Sequence, residues 1–167
     1  MQIPQGGTGH TGGIQNKIMR AVVQRVKKSS VTVDDKVTGL IDRGLMVLIG
    51  VEKGDTEKDA GYIADKVAGL RVFEDDDGKM NLSVSDAGGQ ILAVSQFTLL
   101  GDVRKGKRPS FTDAEVPDKA DMLYRKVISL IEDKNIHVEE GVFQTDMMVE
   151  IHNDGPVTIL LDSRRKF

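Results

Sequence analysis

The order of hydrophobic and polar positions becomes regular at Met19. From there on, runs rich in β-branched residues and separated by turn residues predict β-strands. The predicted strands cover residues 20–28, 29–41 with a turn at 34–36, 44–51, 90–99, and 147–162 with a turn at 153–156. Residues 44–51 are almost entirely apolar, which is typical of a strand that is buried on both faces.

Two other segments repeat apolar residues with the period of an α-helix. The first helix is predicted over residues 56–70 with Asp55 as its N-cap, and its apolar stripe is Ala60, Ile63, Ala64, Val67 and Leu70. The second begins at Pro117, which suits a first helical turn, and reaches about Asn135, with an apolar face of Leu123, Val127, Leu130 and Ile131. Strands and helices in this mixed order predict one α/β domain with both helices on one side of sheet layers.

Residues 1–18 lie outside this regular pattern. They are rich in Gly, Thr and Gln and have no periodic apolar face, so we expect a disordered leader or an expression tag. The predicted folded domain is residues 19–167, which is long enough for one hydrophobic core. No apolar stretch approaches the roughly 20 residues that cross a bilayer, and no signal-peptide core is present, so we expect a soluble protein that does not bind membranes.

Charge and cysteine content narrow the possible chemistry. The formal net charge is -3, so a polyanionic partner has to be bound by a local basic patch and not by the whole surface. The chain contains no cysteine, which excludes thiol nucleophiles, disulfides and thiolate zinc sites and agrees with a reducing cytoplasm.

Several common metal and nucleotide motifs do not fit the sequence. Residues 75–78 resemble the start of a calcium loop, but Met80 stands where that loop requires glycine, so we predict a solvated turn. His137 and His152 lack the partners of a zinc site, and we predict no metal. No glycine-rich phosphate-binding loop is present, and we predict no other cofactor.

The most distinctive segment is residues 95–111, with the sequence SQFTLLGDVRKGKRPSF. It joins a run of β-forming residues to a block, residues 104–108, that has four positive charges in five residues. Ser95 lacks the flanking glycines of a nucleophile elbow, so a Ser-His-Asp hydrolase requires that a histidine reach it from elsewhere in the fold.

Two motifs in the chain resemble the signatures of a known family. Residues Ser95-Gln96-Phe97-Thr98 and Asn153-Asp154-Gly155-Pro156-Val157-Thr158 resemble those of the D-aminoacyl-tRNA deacylases, also called D-tyrosyl-tRNA deacylases. The resemblance includes residues 19–26 and 104–111 and extends over essentially all of residues 19–167. It implies the family's three-layer α/β fold, with barrel-like β-sheet layers and two main helices on one side.

The resemblance also implies an activity: hydrolysis of the ester that joins a D-amino acid to the 3′-terminal ribose of tRNA, and of glycyl-tRNA mischarged on tRNA-Ala. Such an ester is already activated, so orientation and oxyanion stabilisation supply much of the catalysis. The resemblance puts Ser95, Gln96, Phe97 and Thr98 at the scissile carbonyl, with Phe97 beside the terminal adenine. Thr98 is either an orienting and oxyanion group, which we favour, or a covalent nucleophile. If both Ser95 and Thr98 line one site, the predicted strand must bend between them.

Selection against L-amino acids is assigned by the resemblance to Gly155 and Pro156. The Gly-Pro bond of the family is cis and inserts into the active site of the partner subunit, where a rigid main chain rejects one hand of the α-carbon. Arg25 resembles the arginine that holds this motif in place. The family mechanism therefore implies a homodimer with two identical sites.

The remaining family correspondences concern tRNA and the substrate pocket. Arg104, Lys105, Lys107 and Arg108 are expected to contact acceptor-stem phosphates. Phe143, Thr145 and Met147 are expected in the pocket. The family usually has glycine or alanine at positions 144 and 145, and the larger Gln144 and Thr145 here put the range of accepted substrates in question.

Two other classes of protein stay open at this point. A noncatalytic RNA-binding module accounts for the basic block without any hydrolysis. A serine esterase accounts for Ser95 and the histidines, and it requires His152 or His137 in the site.

Overall fold

The structure is a computed structural model that describes residues 19–167. The prediction of a leader over residues 1–18 lies outside the described residues. The strands are β1 (Arg20–Val33), β2 (Lys36–Ile41), β3 (Gly44–Gly50), β4 (Phe73–Glu74), β5 (Met80–Leu82), β6 (Gln90–Ser95), β7 (Val138–Glu140) and β8 (Met148–Asp162). The helices are α1 (Glu57–Gly69) and α2 (Pro117–Glu132), and a 3₁₀ helix spans Phe97–Leu100.

Strand β1 organises the main sheet. One of its edges pairs with β8 along nearly its whole length, and the other pairs first with β3 and then with β2, all antiparallel. Strand β6 lies parallel to β3, and β7 lies parallel to β6. The sheet curls until β2 approaches β7, where a Cβ on Gly39 would lie 2.7 Å from the Glu140 carbonyl oxygen. Only glycine fits at this position, and the sheet is nearly closed into a barrel.

Two hydrophobic cores lie on the two faces of the sheet. The first lies under the helices and includes the buried stripes of α1 (Ala60, Ile63, Ala64, Val67) and α2 (Leu123, Tyr124, Val127, Ile128, Ile131). The second fills the barrel interior with Val26, Val31, Ile41, Met46, Leu92 and Val94. Each fully buried aliphatic side chain contributes roughly 1.5–3 kcal/mol of transfer free energy. The predicted α/β fold, with barrel-like layers and both helices on one side, is confirmed.

The predicted helix bounds need small corrections. The N-cap of α1 is Thr56 and not Asp55: Thr56 has extended backbone angles, and its N–H donates to Asp59 Oδ2 at 2.8 Å. Asp55 is instead buried, and its Oδ2 accepts the Glu52 N–H at 2.7 Å. Helix α2 ends at Glu132, before Asn135, whose φ of 61° lies in the left-handed region that continues no helix.

Two strand predictions were wrong, one in where the strand ends and one in how the strand is paired. The segment 90–99 is a strand only to Ser95, after which the chain turns into the 3₁₀ helix. Residues 153–156 do not connect two strands in a hairpin, because residues on both sides of them pair with β1: Asn153 lies opposite Val26, and Thr158 lies opposite Gln24. Residues 154–157 therefore form a bulge in β8 opposite the single residue Arg25.

Candidate active site

A cavity of about 960 Å³ opens where β6 ends. Three stretches of chain that are distant in sequence form its walls: residues 94–98, residues 111–120 and residues 143–151. Seven of the predicted site residues line it, namely Ser95, Gln96, Phe97, Thr98, Phe143, Thr145 and Met147. The cavity therefore brings together the first sequence motif and the predicted pocket segment.

The 3₁₀ helix explains how Ser95 and Thr98 reach the same cavity. In a regular strand these two residues point to opposite faces of the sheet. Here the ladder with β3 ends at the pair Ser95 and Ile49, and the Gln96 N–H donates to the Ile49 carbonyl at 2.8 Å. The chain then turns, so that Thr98 rejoins the side of Ser95. The bend that the sequence required is a change of secondary structure and not a bulge.

Gln96 fixes the hydroxyl of Thr98. Its amide nitrogen donates a hydrogen bond to Thr98 Oγ1 at 2.7 Å. An oxygen that accepts this bond keeps its own O–H free to donate toward the cavity. Within residues 19–167, no histidine or carboxylate forms a hydrogen bond with Thr98. The hydroxyl is thus oriented as a donor, and in the described part of the chain no base accepts its proton in a hydrogen bond.

The first turn of the 3₁₀ helix supplies two further donors. The N–H groups at the start of a helix have no acceptor within the helix. In the described part of the chain, neither the Phe97 nor the Thr98 N–H donates to another group. Two main-chain donors and one hydroxyl at one end of a cavity form an arrangement that stabilises a developing oxyanion.

Aromatic rings line the same cavity. Phe97 is 59% exposed, and its ring packs edge-to-face on Phe111 with centroids 5.2 Å apart. Phe143 stacks on the buried Tyr124 at 6.5 Å, and the Tyr124 hydroxyl donates to the Ala93 carbonyl at 2.9 Å. An exposed ring supported by a second ring is a surface on which a nucleobase stacks.

The segment 143–147 is an ordered turn at the edge of the cavity. Gln144 has a φ of 59°, in the left-handed region, and the Thr145 hydroxyl donates to the Val142 carbonyl at 2.9 Å. Gln144 and Asp146 line the cavity beside the predicted Thr145. The left-handed backbone at position 144 favours glycine, but this chain has the larger glutamine there.

The Gly155–Pro156 peptide bond is cis, and both residues are exposed. Neither lines the cavity of its own chain, although Val149 and Ile151, nearer the start of β8, do. The second sequence motif is therefore separate from the first within one chain.

Arg25 links the bulge to the rest of the domain. This side chain is buried: its Nε donates to the Asp154 carbonyl at 3.0 Å, and its Nη1 donates to the Val72 carbonyl at 2.7 Å. The Asp154 carboxylate lies 3.7 Å from the same Nε. Three contacts thus join Arg25 to its neighbours, and two of them are with the residue that precedes Gly155.

The basic block forms an exposed loop beside the cavity. A second cavity of about 410 Å³ is lined there by Asp102, Lys105, Gly106, Lys107, Arg108, Ser110 and Thr112. Arg104 forms a bidentate pair with Asp102, with nitrogen to oxygen distances of 3.0 and 2.8 Å. Hydrogen bonds from the Arg104 side chain and N–H hold the pKa of Asp102 well below its usual range. Of the predicted tRNA contacts, Lys105, Lys107 and Arg108 line this second cavity.

Sequence reasoning did not single out two residues of the site, Phe111 and Glu115. Phe111 supports Phe97, and its position in the sequence, directly after the basic block, was the only signal. Glu115 lines the cavity, and its two oxygens accept the N–H groups of Val116 and Gly54 at 2.9 and 3.1 Å. Burial raises the pKa of Glu115, but these bonds and the nearby Lys119 ammonium outweigh it and leave the pKa lowered. Glu115 is an ionised carboxylate already engaged by its neighbours.

His137 and His152 do not line the cavity. The exposed His137 contacts the partly buried Glu139 at 3.1 Å, and the exposed His152 contacts the exposed Glu150 at 2.9 Å. Among residues 19–167, no group of His, Asp and Glu side chains is arranged to hold a metal ion. No helix in that range is long and apolar enough to cross a membrane.

Comparison with known proteins identifies the relatives of this fold and site. Residues 22–162 match the family model described as D-Tyr-tRNA(Tyr) deacylase. Proteins named D-aminoacyl-tRNA deacylase from Thermotoga petrophila and Anaeromyxobacter dehalogenans are 58% and 59% identical to the chain over 149 residues, which is 89% of this chain and 100% of each relative.

Solved structures agree with this relationship. A structure titled "c-Myc DNA Unwinding Element Binding Protein" superposes with a TM-score of 0.80 at 41% identity, over 85% of this chain and 97% of that one. A structure titled "Structural Analysis of a probable eukaryotic D-amino acid tRNA deacylase" superposes with a TM-score of 0.73 at 19% identity, over 87% and 99%. The second likeness supports the fold alone.

The fold and these relatives define a class of hydrolase, the deacylases. The chain belongs to the D-Tyr-tRNA(Tyr) deacylase family, and the prediction made from its two motifs is confirmed.

Proposed function

We propose that the protein hydrolyses the ester of D-aminoacyl-tRNA, releases the free amino acid and tRNA, and rejects L-aminoacyl-tRNA. The observation that supports this proposal most directly is the hydrogen bond from Gln96 to Thr98, which orients a hydroxyl beside two unpaired N–H groups. Such a site suits a substrate that is reactive already, because it supplies orientation and oxyanion stabilisation without a base.

In this mechanism the scissile carbonyl oxygen lies among the Thr98 hydroxyl and the N–H groups of Phe97 and Thr98. Water attacks the carbonyl carbon, and negative charge grows on the oxygen that these donors face. The tetrahedral intermediate then breaks its bond to the ribose oxygen, which takes up the proton released by the attacking water, so that the free amino acid and tRNA leave. The electron-withdrawing α-ammonium of the substrate favours the attack. Loss of one such donor typically reduces the rate by about 10²–10³. Thr98 acts as an orienting and oxyanion group, in preference to a covalent nucleophile, because no base contacts it.

The terminal adenosine fits the aromatic part of the cavity. Phe97 is exposed and held from behind by Phe111, so its face is available for stacking on the adenine. Phe143, Thr145 and Met147 line the same pocket.

The Gly155-Pro156 bulge supports chiral selection by a second copy of the chain. It is exposed and held by Arg25, yet it lines no part of its own cavity. A main-chain wall at this position acts on a substrate only if it belongs to a partner protomer, so we infer a homodimer with two equivalent sites. Glycine has no side chain to meet the wall, and we extend the substrate range to glycyl-tRNA mischarged on tRNA-Ala.

The basic loop completes the proposed interaction with tRNA. Arg104, Lys105, Lys107 and Arg108 are the proposed contacts to acceptor-stem phosphates, which makes binding dependent on salt. Lys105, Lys107 and Arg108 offer the positive charge, and the Arg104 guanidinium is paired with Asp102. We infer action in translation quality control in the cytoplasm, in keeping with a chain that has no cysteine.

The test is the lifetime of the ester in paired substrates. D-tyrosyl-tRNA and L-tyrosyl-tRNA are incubated with and without the protein, and the first-order loss of the ester is measured. We expect the protein to accelerate loss of the D-ester only. Equal cleavage of both esters refutes chiral selection, and an unchanged lifetime of both indicates a noncatalytic RNA-binding module.

A matched variant separates the proposal from a serine esterase. His152→Ala removes an exposed imidazole that lies outside the cavity, so activity on the D-ester is expected to be unchanged. A serine esterase that depends on this histidine loses activity and also cleaves simple activated esters.

A further inference from the structure

We propose that residues 102–112 form a separate phosphate subsite, which takes the internucleotide phosphate that precedes the 3′-terminal nucleotide of the substrate. The inference rests on the proposed function, because the ligand is the end of a tRNA. It adds two hydroxyl ligands, Ser110 and Thr112, and gives Arg104 a positioning role.

The second cavity has the chemistry of an anion site. Its lining includes three cations, Lys105, Lys107 and Arg108, and two hydroxyls. The hydroxyls of Ser110 and Thr112 form a hydrogen bond with each other at 3.3 Å, and a phosphate oxygen that replaces this mutual bond can accept from both. Within residues 19–167, none of the three cations forms an ion pair with a carboxylate. The positive charge in this cavity is therefore available to a ligand.

One carboxylate also lines this cavity, and the structure neutralises it. Asp102 is chelated by the Arg104 guanidinium, and its Oδ1 also accepts the Arg104 N–H at 3.0 Å. The resulting pair carries no net charge and does not repel a phosphate. The Arg104 guanidinium contributes instead to the shape of the loop.

The loop is closed at its base by main-chain hydrogen bonds. The Asp102 N–H donates to the Ser110 carbonyl at 2.8 Å, and the Ser110 N–H donates to the Asp102 carbonyl at 2.9 Å. Together with the chelated Asp102, these bonds fix the positions from which the cations project. The free-energy cost of ordering the loop and its side chains when a ligand binds is therefore smaller.

Residues 110–112 connect this subsite to the catalytic cavity. Phe111 lines the catalytic cavity and packs on Phe97, whereas Ser110 and Thr112 line the basic cavity. A base stacked on Phe97 and the phosphate on its 5′ side therefore lie on the two sides of one short segment. Stacking rings next to a cationic groove are the combination that binds single-stranded nucleic acid.

The test compares two substrates that differ in this phosphate. One is D-tyrosyl-tRNA, and the other is 3′-D-tyrosyl adenosine, which has the ester and the base but no internucleotide phosphate. The variants are Lys107→Gln, which removes a charge, and the double variant Ser110→Ala with Thr112→Val, which keeps all charges. Lys58→Gln is the control, because Lys58 is an exposed cation on α1 outside both cavities.

We expect both sets of variants to raise KM for D-tyrosyl-tRNA about tenfold, since each removes a hydrogen bond to a charged group. Activity on 3′-D-tyrosyl adenosine and the behaviour of Lys58→Gln should stay at the wild-type level. The salt dependence of KM for Lys107→Gln should fall by about 0.7 in log–log slope. The double variant should retain the wild-type slope, because its charges are intact.

Other outcomes overturn the subsite. Unchanged KM for tRNA in both variants, or an equal loss on both substrates, shows that the loop does not bind this phosphate. Inhibition by millimolar inorganic phosphate that is identical for both substrates indicates a site for free phosphate instead. If the wild type cleaves neither substrate, the proposed function fails, and that result is distinct from a failure of the subsite.

Discussion

Arg25 is the side chain on which the position of the Gly155-Pro156 bulge depends most. Replacing it by methionine keeps the volume of the stem but removes the donors to the Asp154 and Val72 carbonyls, at 3.0 and 2.7 Å. A hydrogen bond from a charged donor contributes about 1.5–3 kcal/mol. The avoided burial of a charge offsets part of this loss. We therefore expect Arg25→Met to lower the free energy of unfolding by about 2–4 kcal/mol.

Urea denaturation followed by circular dichroism measures this change, and Arg71→Met is the matched control. Arg71 also donates two side-chain hydrogen bonds, both to Asn81 at 2.9 Å, but it is exposed. Exposed pairs of this kind contribute about 0–1 kcal/mol. If Arg25→Met and Arg71→Met differ by less than about 1 kcal/mol, the stabilising role assigned to Arg25 is refuted.

The functional consequence is specific to selectivity. The side-chain hydrogen bonds of Arg25 go to Asp154 and Val72 and not to residues 95–98. The Arg25→Met variant should therefore cleave D-tyrosyl-tRNA with a kcat similar to that of the wild type, but it should also begin to cleave the L-ester. If Arg25→Met does not fold, Arg25→Lys keeps the charge with fewer donors and should show part of both effects. Unaltered rejection of the L-ester by a folded variant contradicts the proposed role.

Three further substitutions test other parts of the structure. Burial raises the pKa of Asp55 to about 7, so its stabilising contribution is fully present below about pH 4, the range of an unfolded aspartate, and is lost as the pH rises to about 7. In urea titrations, the unfolding free energy of wild type relative to Asp55→Asn should therefore fall by about 2–4 kcal/mol over this pH range. A difference between the two proteins that does not change with pH contradicts this prediction. Thr98→Val should reduce kcat on the D-ester by about 10² with little change in melting temperature, because Thr98 is exposed; near-wild-type turnover removes it from catalysis. Gly39→Ala should destabilise the fold by about 1–3 kcal/mol, because its Cβ would lie 2.7 Å from the Glu140 carbonyl oxygen, and a wild-type melting curve would mean that β2 and β7 are not in contact.

The parts of the fold that the sequence predicts well are those governed by local periodicity. Strand β3 is buried on both faces, as its apolar run indicates, and α1 and α2 bury the predicted stripes. The first family motif likewise identifies residues that meet in one cavity, because Ser95 to Thr98 are close in sequence, whereas no residue of the second motif lines it.

The features that the sequence did not predict depend on where the pairing of two strands ends and on its register. Residues 96–99 continue the alternation of a strand, but the ladder with β3 stops at Ser95, so nothing holds the chain extended beyond it. The bulge at residues 154–157 results from the register of β8 on β1, two strands that are more than 100 residues apart at their pairing positions, such as Gln24 and Thr158. Phe111 contacts Phe97 across a separation of 14 residues, which is also longer than a strand or helix pattern covers. No pattern within a window of a dozen residues contains this information.

The bond from Gln96 to Thr98 has a consequence for the conditions under which the enzyme works. A carboxamide neither gains nor loses a proton in the physiological range, in contrast to imidazole. The Thr98 hydroxyl therefore keeps the same orientation in mildly acidic and mildly alkaline surroundings. If Thr98 has the proposed role, its contribution to the rate does not depend on pH in the range where a histidine-dependent hydrolase loses activity.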